Sequence, residues 1–103
     1  MHFGLRPDEI ARIRQACAAL PEIAEVIVFG SRAIGTSKPG SDVDLALKGH
    51  LDERTVARLS AALNEELPLP YFFDVVDYHA ITNTALREHI DQHGQRIFPA
   101  DAP

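Results

Sequence analysis

The chain has 103 residues, of which 46% are hydrophobic and 24% charged, with a net charge of −5 and a sequence pI near 5.4. That is enough for one compact domain, it argues against disorder, and its acidic balance argues against a general nucleic-acid binder, which needs a basic footprint. No apolar run approaches the ~20 residues of a membrane-spanning helix, the start MHFGLRPDEI lacks the basic and apolar regions of a signal peptide, and a lone Cys17 cannot form an internal disulfide, so a cytoplasmic address is expected.

From Pro7 to Leu20, Ile10, Ile13, Cys17 and Leu20 gather on one helical face, Pro7 suits the first turn, and Pro21 ends the run. Glu25 to Phe29 is β-branched and apolar and predicts a buried strand that runs into Gly30-Ser31. A short helical turn follows, then a loop from Gly35 to Ser41 rich in Gly, Ser, Thr and Pro. Asp42 to Lys48 predicts a second strand. Asp52 to Leu67 predicts a second amphipathic helix, with Asp52 as its N-cap and Pro68 and Pro70 as its breakers. Tyr71 to Val76 predicts a third strand, Thr82 to His93 a last helix stopped at Gly94, and Arg96 to Phe98 a short edge strand. Alternating helices and strands of these lengths predict an α/β, or α+β two-layer, domain with a small mixed sheet and helices packed mainly on one side. The whole of residues 1–103 is expected to be one domain.

Three carboxylates within predicted strands carry the most information. Asp42 and Asp44 stand two apart and so share one strand face, while Val43 and Leu45 point to the core. Asp is disfavoured in strands, and two like charges this close repel unless a divalent cation lies between them. Oxygen-only ligands suit Mg²⁺ or Mn²⁺ better than zinc. Asp74, between Phe73 and Val75, is placed to add a third carboxylate to the same face. Asp77 lies three further on and faces the other way.

Gly30-Ser31 stands at a strand-to-helix junction, where free backbone N–H groups point outward. Gly30 lets a phosphate approach the backbone, and the Ser31 hydroxyl and N–H are donors for its oxygens. Ten residues later come Asp42 and Asp44, so a phosphate cradle and a metal cage would lie side by side, as nucleotide chemistry requires.

The stretch from Val28 to Gly35 (VFGSRAIG) and from Ser41 to Leu45 (SDVDL) resembles the minimal nucleotidyltransferases, small members of the polymerase β-like nucleotidyltransferase superfamily. Their pattern of Gly-Ser, ten residues, Asp-x-Asp and a later acidic residue falls on Gly30, Ser31, Asp42, Asp44 and Asp74, and it favours Asp74 over Asp77. The resemblance implies the nucleotidyltransferase fold and a Mg²⁺-dependent transfer of AMP from ATP. Asp42 and Asp44 would hold two Mg²⁺ ions (Mn²⁺ is an acceptable substitute), Asp74 would bind the catalytic metal and help deprotonate the acceptor, and Gly30 and Ser31 would bind the β- and γ-phosphates. Arg32 is assigned to phosphate neutralisation, with anchoring of the turn by pairing with an acidic neighbour as the competing reading; Lys38 is either a lid contact or a solvated loop side chain. Many small members resemble antitoxins paired with a helical HEPN-domain toxin, and the resemblance implies a tyrosine hydroxyl of that toxin as acceptor. Two other functions stay open: an antitoxin that neutralises by binding alone, and a small-molecule nucleotidyltransferase. The expected partners are a nucleoside triphosphate and the HEPN toxin, with no membrane and no direct nucleic acid; homo-oligomers are compatible with the sequence.

Other residues have plainer expected roles. His89 and His93 are four apart on the last helix and are read as a solvated face; Arg87 with His93 is a chance pairing. Cys17 is expected in the core, Tyr71 to Phe73 in strand packing, and Tyr78 or His79 beside the base of the nucleotide. The apolar residues of the last helix, Ile81, Leu86 and Ile90, are assigned to the core or to a partner interface.

Overall fold

The computed structural model describes residues 2–100. The first helix, α1, runs from Pro7 to Ala18, with Pro7 in its first turn and Asp8 and Glu9 at its positive end. Strand β1 spans Ile23–Phe29, a single helical turn α2 spans Ser31–Ile34, and β2 spans Val43–Gly49. Helix α3 covers Glu53–Ala61 and widens into a π-helical turn over Ala62–Glu66. Strand β3 covers Phe73–Asp77 and is followed by a 3₁₀ turn over Tyr78–Ala80. Helix α4 covers Thr84–His93 and β4 covers Gln95–Phe98.

The caps behave as local chemistry dictates. Asp52 accepts from the Thr55 N–H at 2.8 Å and from its hydroxyl at 3.0 Å, which holds the Asp52 carboxyl below the usual carboxylate range. Asn83 caps α4 by accepting from Leu86. Asp77 caps the 3₁₀ turn by accepting from the His79 N–H, so its carboxylate serves the strand end, as expected.

The four strands form one mixed sheet in the order β3-β2-β1-β4. Strand β1 runs antiparallel to β2 and to β4, whereas β2 and β3 run parallel. The expected short edge strand is therefore β4, and β3 forms the opposite edge. On one face Val26, Val28, Val43, Leu45, Leu47, Phe73 and Ile97 pack against Ile10, Ile13 and Cys17 of α1 and Leu59 of α3 in the main core. Cys17 is fully buried there, and burial pushes its thiol up to about 12, which leaves it protonated and inert at neutral pH. The other face carries a smaller cluster, in which Phe29 and Ala46 meet Tyr78 and Ile90, with Ile27, Val76, Ile81 and Leu86 around them. Helices α1 and α3 thus cover one face, and α4 alone lies on the other. The apolar side chains of the last helix and its lead-in serve this second core.

Candidate functional site

The site grows from the end of the sheet at which β1 leaves and β2 and β3 begin. In the antiparallel ladder Phe29 is opposite Asp44, and in the parallel ladder Asp44 is opposite Asp74. Residues opposite one another in a ladder point to the same face. The register therefore sets Asp44 and Asp74 side by side on the α4 face, while Val43, Leu45, Phe73 and Val75 turn to the main core. Asp42 stands one residue before β2. Asp44 is half-buried, and Asp42 and Asp74 are exposed.

Electrostatics confirm that the three charges share one locality. The Asp44 carboxyl is held above the usual carboxylate range, first by burial, then by the charge of Asp74, then by that of Asp42; His89 and Arg32 pull in the opposite direction. The ion pairs found among the described residues join Arg6 to Asp8 and to Glu9, away from this group. Also among the described residues, no three His, Cys, Asp or Glu side chains already form a cage around a point where a metal ion would sit.

Gly30 closes the site from the β1 side. Its φ of 73° and ψ of −154° lie in a region that only glycine occupies without strain. A Cβ built on Gly30 would stand 2.2 Å from Asp44 Oδ2, so the Gly30 backbone lies directly against the Asp44 carboxylate. Ser31 follows at the start of α2. That helix is one turn long, so its contribution is local N–H and hydroxyl donors rather than a macrodipole.

Arg32 takes the turn-anchoring role, with backbone carbonyls as its partners. Its side chain is 3% exposed and is spent on backbone carbonyls. Nη2 and Nε donate to Ser41 O at 2.7 and 3.2 Å, Nε also to Asp42 O at 3.3 Å, and Nη1 to Phe3 O at 2.8 Å. The guanidinium also lies 4.8 Å from the Tyr71 ring centroid. Arg32 therefore anchors the turn, but through carbonyls rather than an acidic neighbour, and it fixes the backbone on which Asp42 rides. A phosphate would have to compete with four hydrogen bonds for it. Lys38 is exposed in the loop, beside a groove lined by Gly4, Arg32, Ser37 and Tyr71.

Two contributors escaped the sequence reading. The first is His89, expected on a solvated face. It is half-buried, its ring meets Phe29 edge to face, and its Nε2 accepts the Gly30 N–H at 2.9 Å. One signal pointed to it: His89 lies three residues after Leu86 and so shares the face of α4 that packs on the sheet. His93 is exposed, with its ring 5.5 Å from that of His89, and the two form no metal site. The second is Asn64, which the π-helical turn places against β3. Its Oδ1 accepts the Phe73 N–H at 2.8 Å and its Nδ2 donates to Phe73 O at 3.0 Å, so one amide substitutes for a neighbouring strand at the sheet edge. No sequence signal announced this, because the widened turn is not visible in a helical period.

Asn64→Ala removes both partners of a Phe73 backbone that is otherwise buried. The expected cost is about 1–3 kcal/mol, seen as a fall of roughly 5–20 °C in melting temperature. An unchanged melting curve would show that Asn64 does not secure the Asp74 strand.

Tyr78 and His79 part company. Tyr78 is buried, donates to Asp91 at 2.5 Å and lies beneath Lys48 and Arg87, so it is committed to the second core; His79 is exposed. Tyr71 is a packing residue, edge-on to Phe73 and donating to the buried Glu9 at 2.9 Å. Phe72, by contrast, is 58% exposed. No helix among the described residues is long and apolar enough to cross a membrane.

The family model described as polymerase beta, nucleotidyltransferase matches residues 11–102. Among curated proteins none matches the chain. Among solved structures, a chain from the crystal structure of a toxin–antitoxin with AMP-PNP is similar at a TM-score of 0.69 and 23% identity, over 93% of this chain and 75% of that one. A chain from the crystal structure of the toxin–antitoxin MntA–HepT is similar at 0.68 and 19%, over 92% and 74%. A chain from the tri-AMPylated Shewanella oneidensis HEPN toxin in complex with MNT antitoxin is similar at 0.66 and 20%, over 89% and 71%. At these identities the likeness establishes a common fold.

Proposed function

Because the chain belongs to the polymerase β nucleotidyltransferase family, we propose that it is a Mg²⁺-dependent antitoxin that transfers AMP from ATP to a tyrosine hydroxyl of a partner HEPN toxin and so neutralises it. The observation that carries the reading is the juxtaposition of Asp44 with Asp74 in one register, with the Gly30 backbone against the Asp44 carboxylate. The AMP-PNP and AMPylated-toxin complexes of similar fold support the choice of nucleotide and partner.

Asp42, Asp44 and Asp74 are the all-oxygen, mutually repelling donor set that suits Mg²⁺ or Mn²⁺. Bound there, two such ions would supply charge neutralisation and Lewis acidity at the α-phosphate. The chain's own residues do the rest. Ser31 donates its hydroxyl and N–H to the β- and γ-phosphates, and the missing Cβ of Gly30 lets the Asp44 carboxylate lie against the same turn. Arg32 holds Asp42 in place through the Ser41 and Asp42 carbonyls. Asp74 takes the proton from the attacking hydroxyl as the acceptor oxygen bonds to the α-phosphorus and the bond to the departing pyrophosphate breaks in line.

The test is an intact-mass measurement on a candidate HEPN-domain partner after incubation with the wild-type chain, Mg²⁺ and ATP. A gain of one AMP or a small multiple, located on tyrosine, is expected, and Asp42→Ala with Asp44→Ala should abolish it. Neutralisation by the double variant equal to that by wild type would replace this reading with binding alone. Robust transfer to an aminoglycoside with none to the protein would replace it with small-molecule modification.

A further inference from the structure

The Gly30-Ser31 turn is held from outside by the C-terminal segment. His89 Nε2 accepts the Gly30 N–H at 2.9 Å across 59 residues of sequence, and Gln95 Nε2 donates to Ala33 O at 3.1 Å across 62. Both ends of the turn are thus tied to α4 and to the strand that follows it. The Nε2 atom is thereby committed to the Gly30 N–H. The ring is also fixed on its flank, edge to face with Phe29 at 6.2 Å.

This bond settles which backbone donor is available. The Gly30 N–H, a natural phosphate donor at such a turn, is already directed at His89. The bond fixes the Phe29–Gly30 peptide, while the peptide that follows is held through the Gly30 carbonyl, which accepts from the Ala33 N–H at 3.1 Å and the Ile34 N–H at 3.4 Å. Gly30 sits at φ 73° and ψ −154°, where sterics do not restrain glycine, so the hydrogen bonds on its two sides, His89 to the N–H and Ala33 to the carbonyl, together define the conformation.

We propose that His89 is a positioning residue of the nucleotide site: by accepting the Gly30 N–H it fixes the Phe29–Gly30 peptide and with it the φ of Gly30, on which the direction of the Ser31 donors toward the triphosphate depends. This rests on the nucleotidyltransferase reading above and adds to it a residue on α4. The role requires an acceptor at the position of Nε2 and nothing else of the imidazole. Glutamine places an amide oxygen near that position, asparagine falls short, and alanine offers none.

The experiment compares wild type with His89→Ala, His89→Asn and His89→Gln, each confirmed folded by its far-ultraviolet circular dichroism. Transfer kinetics are measured at varied ATP in the presence of Mg²⁺ and the partner. For His89→Ala and His89→Asn the KM for ATP is expected to rise roughly tenfold with kcat within about threefold, and His89→Gln is expected to restore KM to within about threefold of wild type. Hydrogen exchange of the Gly30 amide is followed in parallel, without nucleotide. It should accelerate in His89→Ala and return toward wild type in His89→Gln, while the amides of Val28 and Leu45 in the β1–β2 ladder stay unchanged. An unaltered KM in His89→Ala, or a His89→Gln variant as impaired as His89→Ala, overturns the proposal. Unaltered Gly30 exchange in His89→Ala overturns the tether itself. Should wild type show neither transfer nor binding of ATP, the parent reading and the KM clause fall together, and the exchange result still decides whether His89 holds the turn.

Discussion

Asp44→Asn is expected to lower AMP transfer by at least about a thousandfold while raising the melting temperature of the metal-free protein at pH 7. The first effect follows, under the proposed function, from removing one anionic ligand of the proposed two-metal site, where charge stabilisation is worth several kcal/mol and each ~1.4 kcal/mol is tenfold in rate. The second follows from linkage. The Asp44 carboxyl is held above its ordinary value of 3.8 in the folded chain, by burial first and then by Asp74 and Asp42. An acid whose pKa is higher folded than unfolded binds protons more tightly in the native state, so its ionisation costs stability. That cost is absent below the unfolded pKa, develops as pH rises, and is complete above the folded pKa. At pH 7 the wild type bears it and the asparagine variant does not. The stability difference between the two should therefore shrink as pH falls toward the ordinary Asp range. Adding Mg²⁺ with a non-hydrolysable ATP analogue should reverse the order. A ligand at 100 times its Kd stabilises wild type by about 2–3 kcal/mol, or roughly 10–20 °C for a domain of this size, and the variant should lose most of that rise. Equal ligand-induced shifts in wild type and variant would refute the placement of the metals.

Gly30→Ala is the second substitution with a large expected effect, and its two consequences separate cleanly. The backbone conformation at φ 73° and ψ −154° costs a residue with a Cβ about 1–3 kcal/mol, which predicts a fall of roughly 5–20 °C in melting temperature. The new methyl would also stand 2.2 Å from Asp44 Oδ2 but 3.2 Å from its Cγ. A carboxylate oxygen is the free end of a side chain, and rotating it aside relieves the contact cheaply. The structural loss is therefore modest, whereas activity should fall by about a thousandfold or more, because the carboxylate that moves is the one between the other two. Retained transfer in a folded Gly30→Ala protein would show that Asp44 does not act from the position described.

Much of this molecule is legible from its residues one at a time. Pro7, Asp52 and Gly94 mark helix ends by rules that need only their neighbours, and each helix and strand lies where periodicity predicts it, with ends shifted by a few residues. The Asp-x-Asp spacing and Gly-Ser turn are legible for the same reason: a strand of period two leaves no choice about which side chains share a face. That parity sets Asp77 on the face opposite Asp74, the family pattern selects Asp74, and the structure gives Asp77 a capping role. The α3 extension is where the period misleads, since its last turn widens and Asn64 turns to β3.

His89 and Arg32 mark the boundary of such reasoning. Their types and helical positions were in plain view, but what each one bonds to depends on which backbone groups other segments leave within reach. The linear order by itself determined the element sequence, the acidic face and the glycine turn, because these follow from dihedral preferences and side-chain alternation over a few residues. Only the tertiary structure decided that β2 and β3 run parallel with Asp44 beside Asp74, that Arg32 is consumed by the carbonyls of Phe3, Ser41 and Asp42, and that His89 reaches back to Gly30. Buried donors and acceptors must be satisfied by whatever polar group the packed chain brings within about 3 Å, and that is a property of the whole fold rather than of any window along it.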